Sequence, residues 1–381
     1  MAKASLREYG EKRSFKATPE PGPEIVERDG PLLFVVQKHS ARHLHYDLRL
    51  ECDGVLKSWA VPKGPSLDPT EKRLAMQTED HPFEYASFEG VIPPKQYGAG
   101  EVIVWDCGVY SPDEHGGVFF HNREEAERQV REDLAKGKLG FQLRGEKLKG
   151  SFALIRTKQS WLLMKHRDHY AGKGDVAARD ESILCGLAVE EMKATPATRI
   201  PAERLIPSGA LVAMPTKIEP MQAKVVNAAF NGADWMWEPN LDGERAIAFI
   251  DGKDVKLRSV RGLDLTAAFP ALVDELARQS PGTMVLDGEI VIATPATPAV
   301  FVCFDLLHFA GVDLRALPYR DRRRYLTQCV LGSPTVQLMH ASEDGVALHE
   351  AAIASGFEGV IGKRKDSPYE AGKRTGAWVK V

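Results

Sequence analysis

Cysteine is scarce in these 381 residues: there are five, at positions 52, 107, 185, 303 and 329, each standing alone with no Cys-x-x-Cys pair. That spacing supplies neither a disulfide framework nor a zinc ribbon, and it fits a reducing compartment. Long apolar runs are missing too. No stretch approaches the roughly 18 residues of a membrane span, and the charged opening MAKASLREYGEKRSFKATPEP has no apolar core of an export signal. A cytoplasmic chain with no membrane partner is the expectation. An excess of one charge is likewise absent: a net charge of −3 excludes a uniformly basic nucleic-acid coat and leaves room for local basic stripes. No internal repeat is present.

What is present divides into segments. Residues 1–30 are polar and rich in Lys, Glu and Pro, and read as a flexible arm. Residues 31–172 read mostly as strands, in blocks such as LLFVVQK, HLHYDLRLEC, VLKSWAV, GEVIVWDCGVY and KGSFALIRT punctuated by Gly, Pro and Asp. Many short strands in series predict a small barrel or a sandwich. One helix interrupts them over about 123–136, with Asn122 as N-cap and Gly137 as stop. Residues 173–213 have many breakers and few large apolar side chains, and read as a linker with one short helix. Residues 214–381 mix strands with helices over 265–279, 320–330 and 343–356, an α+β pattern.

One strand carries unusual side chains. HLHYDLRLE, residues 43–51, alternates so strictly that Leu44, Tyr46, Leu48 and Leu50 share one face and His43, His45, Asp47, Arg49 and Glu51 the other. Two imidazoles and a carboxylate at alternate positions, with His39 just upstream, are ligand types for a divalent transition metal. A solvated strand with surface histidines is the plainer alternative. Nearby, TEDHP brings Glu79 and His81, and Lys63, Arg73 and Arg49 offer cations that could hold an anion beside a metal, as phosphoryl hydrolysis requires. Each of these alone is an ordinary surface charge. EKLKGSFALIRTKQSWLLMKHRD threads basic residues through strands with Trp161, equally readable as a DNA-tracking stripe or a solvated face.

Together these blocks carry a resemblance. FVVQKHSARHLHYDLRLECDGVLKSWAVPKGPSLDP, TEDHPFEYASFEGVIP and YGAGEVIVWDCG resemble the 3'-phosphoesterase domain of bacterial DNA ligase D, an end-repair enzyme of nonhomologous end joining, and the resemblance covers residues 5–170. It implies a manganese-dependent (Mn2+) β-barrel that removes a 3'-terminal phosphate or ribonucleotide from DNA. It also implies His39, His45 and Asp47 as metal ligands, Arg49 and His81 as phosphate-site residues, and Lys63, Arg73, Glu79 and Tyr85 as supporting positions. KRSFKATPEP resembles the family's arm, with Arg13 and Glu20 at functional positions. Ser14 stands where an Asp is usual, which implies reduced ribonuclease capacity, and Lys95 stands where the turn usually has Gly.

The second half carries another. EPNLDGERA, LDGEIVI, FVCFDLL, EGVIGKR and WVKV, in that order over residues 214–381, resemble the nucleotidyltransferase domain of ATP-dependent DNA ligases, and imply an ATP-grasp-like or nucleotidyltransferase α+β fold with antiparallel sheets. In that family the first motif begins with a lysine whose amine attacks the α-phosphate of ATP. Here the position is Asn240, whose amide lone pair is delocalised into its carbonyl, so it is not a nucleophile. The resemblance implies Glu238 at the adenine, Arg245 near the ribose, Glu289 and Glu358 at ribose or metal positions, and Phe304 stacked on the adenine. It implies Lys363 and Lys380 toward the α-phosphate, with ATP and Mg2+ as ligands. Val260 replaces an Arg usual in the family, the connector VIATPATPAV is short, and no OB-fold segment precedes Val381, so ligation is expected to be lost or impaired.

The expectation is therefore an α+β chain of two domains, a small β-barrel phosphoesterase and a ligase-type domain without self-adenylylation, acting in DNA end repair in the nucleoid-associated cytoplasm. Its expected partners are DNA ends in a primer-template or nicked duplex, Ku, and a separate polymerase or ligase. The competing reading is a module that binds DNA ends or nucleotide without catalysis. A third, sealing of DNA already adenylated elsewhere, needs no nucleophilic lysine, and the missing OB-fold weighs against it.

Overall fold

A computed structural model describes residues 6–113, 118–194, 200–292 and 297–381. Residues 293–296 of the short connector, and ATPAT within the expected linker, lie outside the described residues in whole or in large part. The chain divides into two compact units, residues 1–209 and 210–381.

In the first unit, helix α1 (Arg7–Glu11) precedes strands β1 (Leu32–Ser40), β2 (Leu44–Cys52), β3 (Val55–Val61), β4 (Lys72–Gln77), β5 (His81–Pro82), β6 (Gly90–Ile92) and β7 (Gly100–Pro112). Helix α2 (Arg123–Lys136) follows, then β8 (Lys138–Gly145), β9 (Lys149–Arg156) and β10 (Trp161–Lys165). Strand order β1-β2-β3-β4-β10-β9-β8-β7 returns to β1, all antiparallel, so the sheet closes on itself. Of the two expected architectures it is the barrel. Closure removes the exposed edges that an open sheet of this size would present. Alternate residues fill it: Phe34, Val36, Leu48, Leu50, Trp59, Trp105, Phe141 and Phe152 form one buried cluster, each such side chain contributing about 1.5–3 kcal/mol on burial. Helix α2 begins and ends as its sequence indicates, with the Asn122 side chain accepting from the Glu125 N–H and Gly137 at φ 85°.

Three expectations need correction here. The polar face of β2 does not lie open: Asp47, Arg49 and Glu51 are buried, while Leu44, on the apolar face, is 47% exposed at the strand's start. The cover comes from the segment read as a flexible arm, in which Leu6, Tyr9, Thr18 and Glu20 are buried and the Tyr9 hydroxyl donates to Pro21 O at 2.7 Å. The stretch read as a linker also packs on the barrel. Trp105 Nε1 donates to Arg179 O at 2.7 Å, Lys147 Nζ to the same oxygen at 2.9 Å, and Val189 and Met192 pack on Ile103. Backbone carbonyls meeting buried donors and a few scattered apolar anchors, Val189, Met192, Leu205 and Ile206 among them, hold this stretch, and neither forms a periodic run that its composition would show.

The second unit holds β11 (Lys224–Val225), β12 (Trp235–Pro239), β13 (Glu244–Asp251), β14 (Asp254–Ser259), α3 (Pro270–Ala277), β15 (Thr283–Val291), β16 (Val300–Phe309), β17 (Val312–Asp313), α4 (Tyr319–Cys329), β18 (Val336–Leu338), α5 (Gly345–Ala354), β19 (Val360–Arg364) and β20 (Trp378–Lys380). One sheet runs β14-β13-β15-β16-β17 and the other β11-β20-β19-β12. The pairings are antiparallel as expected except two, β11 with β20 and β18 with β16, which are parallel. Helix α3 is shorter than its periodicity predicts because Pro270 occupies its first turn and holds Phe269 out of the helical region, at φ −129° and ψ 59°. Ile247, Phe249, Val285, Phe304, Leu307 and Trp378 belong to one core cluster of this unit.

Candidate metal centre and nucleotide pocket

The register of β1 against β2 sets His39 directly opposite His45 and Gln37 opposite Asp47. One ligand atom from each of His39, His45 and Asp47 lies within 4.8 Å of the others, the only such group among the described residues. Nδ1 of His39 is 3.7 Å from one Asp47 oxygen and Nε2 of His45 is 3.7 Å from the other. The opposite ring nitrogens are fixed by backbone: His39 Nε2 donates to Gly98 O at 2.8 Å, and His45 Nδ1 donates to His43 O at 2.9 Å. A carbonyl only accepts, so each imidazole carries its proton on the far side and turns a lone pair toward Asp47. This donor set fits a divalent ion that accepts mixed nitrogen and oxygen ligands.

Arg49, two residues along the same face, organises what lies behind. Its Nη2 donates to Asp47 at 3.0 Å, Nε to Gln37 Oε1 at 2.8 Å and Nη1 to Ser58 Oγ at 2.9 Å, while Nη1 lies 2.9 Å from His81 Nδ1. Burial raises the Asp47 pKa, but the charge environment led by the Arg49 guanidinium outweighs it and holds the carboxyl well below its usual range. His81 shifts the other way: burial, then the Arg49 and Arg13 guanidiniums, push it well below the usual imidazole value. His81 is therefore neutral, with Nδ1 donating to Glu79 O at 2.9 Å and Nε2 facing Arg13 Nη2 at 3.3 Å.

The arm completes the network. Arg13 pairs with Glu20 at 2.7 Å and Glu79 at 3.1 Å, its guanidinium 3.9 Å from the Tyr9 ring centroid. Tyr85 donates to Glu20 at 3.1 Å, and Lys12 reaches Glu79 at 3.1 Å. Arg13, Glu20, Arg49, Glu79, His81 and Tyr85 thus meet as one cluster next to the three metal-ligand candidates. Lys63 and Arg73 lie apart from these contacts: Lys63 is exposed after β3, and Arg73 pairs with Glu71 at 2.5 Å on β4. Sequence reasoning passed over Gln37, Ser58 and Lys12. Gln37 and Ser58 are fully buried on β1 and β3, but each stands beside a lysine, Lys38 or Lys57, so the local pattern did not single it out.

In the second unit, Asn240, Arg245, Glu289, Phe304, Lys363 and Trp378 line a common pocket with Glu238. Lys363 Nζ, buried, is 2.6 Å from Glu238 and lies 4.3 Å from the Phe304 ring centroid and 4.2 Å from that of Trp378. Tyr319 donates to the same Glu238, a partner the sequence did not reveal. Burial pulls the Lys363 pKa down, with Glu238 opposing. Arg245 forms a two-point pair with Asp287 at 3.0 and 2.7 Å, and Tyr369 donates to Asp287 at 2.6 Å. Glu289 is pushed up to about 7, first by burial, against the pull of Arg245 and with the repulsion of Asp287, Glu244 and Asp242. At the outer edge Asn240 Nδ2 and Lys380 Nζ both donate to one oxygen of Glu358, at 2.8 and 3.1 Å. Val260 is 42% exposed, between Arg258, paired with Asp264 at 3.3 Å, and Arg261.

Three metal-ligand candidates on a closed barrel, and in the second unit a pocket lined by the ligase-like motif residues, are what a phosphoesterase-type domain joined to a ligase-type domain would present. Residues 37–156 match the DNA ligase D 3'-phosphoesterase domain, and residues 217–300 and 293–381 match the ATP dependent DNA ligase domain. The multifunctional non-homologous end joining protein LigD of Pseudomonas aeruginosa is 41% identical, over 99% of this chain and 47% of that protein. The multifunctional non-homologous end joining DNA repair protein LigD of Mycobacterium tuberculosis is 34% identical, over 98% of this chain and 45% of that protein. Among solved structures, mycobacterial DNA ligase D complexed with ATP and MES is 31% identical over 43% of this chain and 59% of that one, at a TM-score of 0.38. The chain belongs to the DNA ligase D family, and it spans about half the length of these two relatives.

Proposed function

We propose that the first unit is a manganese-dependent phosphoesterase that removes a 3'-phosphate or a 3'-terminal ribonucleotide from DNA ends during nonhomologous end joining. The observation that carries this reading is the convergence of His39, His45 and Asp47 within 4.8 Å, each imidazole locked in the ligating tautomer, beside Arg49. A divalent ion held there would supply a Lewis acid to the phosphoryl group and acidify a water. The chain's own groups do the rest. Arg49 orients Asp47, and its Nη2 keeps a second hydrogen for a non-bridging phosphoryl oxygen, where charge develops. Neutral His81, its Nδ1–H given to Glu79 O, offers Nε2 to Arg13 and packs against Arg49 rather than delivering a proton. Glu20, Glu79 and Tyr85 fix Arg13, so the arm closes the site as a structural wall; Lys63 and Arg73 are assigned to binding the DNA strand outside it.

In the second unit we assign Glu238, Arg245, Glu289, Phe304, Glu358, Lys363 and Lys380 to binding ATP with Mg2+. Asn240 has only an amide to offer the α-phosphate, so self-adenylylation is absent and ligation is lost. Binding without catalysis is then the role left to this domain, which would hold a nucleotide or a DNA end for Ku and for a separate polymerase or ligase. The test is a 5'-labelled primer-template ending in 3'-phosphate, incubated with manganese. Conversion to a 3'-hydroxyl by the parent, and none by His45→Ala, is expected; an inactive parent that still binds the DNA makes the first unit a binding module instead.

A further inference from the structure

One ring beside the metal centre has no buried use. Tyr9 and Tyr85 are buried against Arg13 and Glu20, but Tyr97 is 47% exposed. It stands on the turn between β6 and β7, immediately before Gly98, whose carbonyl accepts from the metal-ligand candidate His39 at 2.8 Å. Consecutive Cα atoms are about 3.8 Å apart, so the ring is rooted at the rim of the centre. It is also held there. From the arm, Lys12 Nζ lies 4.8 Å from the ring centroid and 3.4 Å from the phenolic oxygen, and the Arg13 guanidinium lies 5.4 Å from the centroid. Arg13 in turn reaches His81 at 3.3 Å. Exposed cations lie on the segments that supply these residues: Lys16 on the arm, Arg42 between β1 and β2, and Lys95 two residues before Tyr97 on its turn.

A flat ring fixed by neighbouring cations, open to solvent and set among basic side chains is the arrangement on which nucleobases stack without regard to sequence. We propose that Tyr97 stacks on the base of the 3'-terminal nucleotide and so seats the end with its phosphate at His39, His45 and Asp47. This rests on the phosphoesterase reading for its substrate, a DNA 3' end, but its test does not need turnover. Tyr97 is a positioning residue here. The competing role is a clasp for the arm, made through Lys12.

The experiment uses the full chain and a primer-template whose 3'-terminal base is 2-aminopurine bearing a 3'-phosphate, with a 5' dye to report binding by anisotropy, in the absence of added metal. Stacking quenches the 2-aminopurine. The parent is expected to bind and quench; Tyr97→Ala is expected to bind about tenfold more weakly, the scale of one lost base stack, and to lose the quench at saturation. Tyr97→Phe and Lys12→Ala are expected to keep it. A parent that binds without quenching, a Tyr97→Ala variant that quenches like the parent, an equal loss in Tyr97→Ala and Lys12→Ala, or no binding at all overturns the proposal. Adding manganese and following phosphate release then reads the other assignment separately: quenching without release leaves the stack standing and removes the phosphoesterase.

Discussion

Arg49 donates from Nη2 to Asp47 at 3.0 Å while its Nη1 lies 2.9 Å from Nδ1 of His81, so one guanidinium joins the metal-ligand candidates to the arm network. Replacing it with Lys keeps a charge but loses the planar fork. Arg49→Lys is expected to lower kcat/KM for a 3'-phosphate substrate by about 10²–10³ while manganese binding persists. Arg49→Ala leaves Asp47 buried without its main counter-charge and is expected to cost about 3 kcal/mol of stability, read by denaturant unfolding of the whole chain.

Gly98 sits at φ 72°, and a Cβ there would lie 3.6 Å from His39 Cε1. Space is adequate, so the cost is backbone strain, which displaces the carbonyl that fixes the His39 tautomer. Gly98→Ala is expected to weaken manganese binding by about tenfold with a stability loss near 1 kcal/mol; calorimetric titration with manganese measures the first, thermal unfolding the second.

Glu289 makes the pH dependence of the second unit testable. Its folded pKa of about 7 lies above its ordinary 4.5, so the folded state binds more protons than the unfolded one between those values and stability falls as pH rises through that window. Glu289→Gln removes the titration. The variant is expected to match the parent at pH 4 and to exceed it by about 2 kcal/mol at pH 8, allowing for partial solvent screening. Equal stability at both pH values contradicts the assignment.

Asn240 donates to Glu358 at 2.8 Å, where the family's lysine would present its amine. Incubation with ATP labelled at the α-phosphate is expected to leave no covalent label on the parent, and Asn240→Lys is expected to gain one, resolved on a denaturing gel. Label on the parent contradicts the proposed loss of self-adenylylation.

The convergence of His39, His45 and Asp47 was readable because His45 and Asp47 follow the two-residue period of a strand, with His39 placed opposite His45 by a short turn. Helix α2 was readable from its cap and stop residues. The arm was not: Arg13 and Glu20 entered only through resemblance, because nothing local in KRSFKATPEP encodes that it covers the outer face of β2. The same cover lies over the Arg49 network, whereas Glu51 is buried beneath Arg28 and Arg123 of helix α2. The pocket in the second unit was readable motif by motif, yet Tyr319 and Tyr369, which clamp Glu238 and Asp287, come from segments whose periodicity speaks only for a helix and a loop.

The central claim is that the His39, His45 and Asp47 centre performs phosphoryl hydrolysis. It is tested most directly by measuring inorganic phosphate release from a 3'-phosphate primer-template against manganese concentration, alongside manganese binding, for the parent and Asp47→Asn. Release that rises with occupancy of one site per chain, with both lost in the variant, is the expected result. Release that persists in Asp47→Asn, or that is independent of metal, contradicts it.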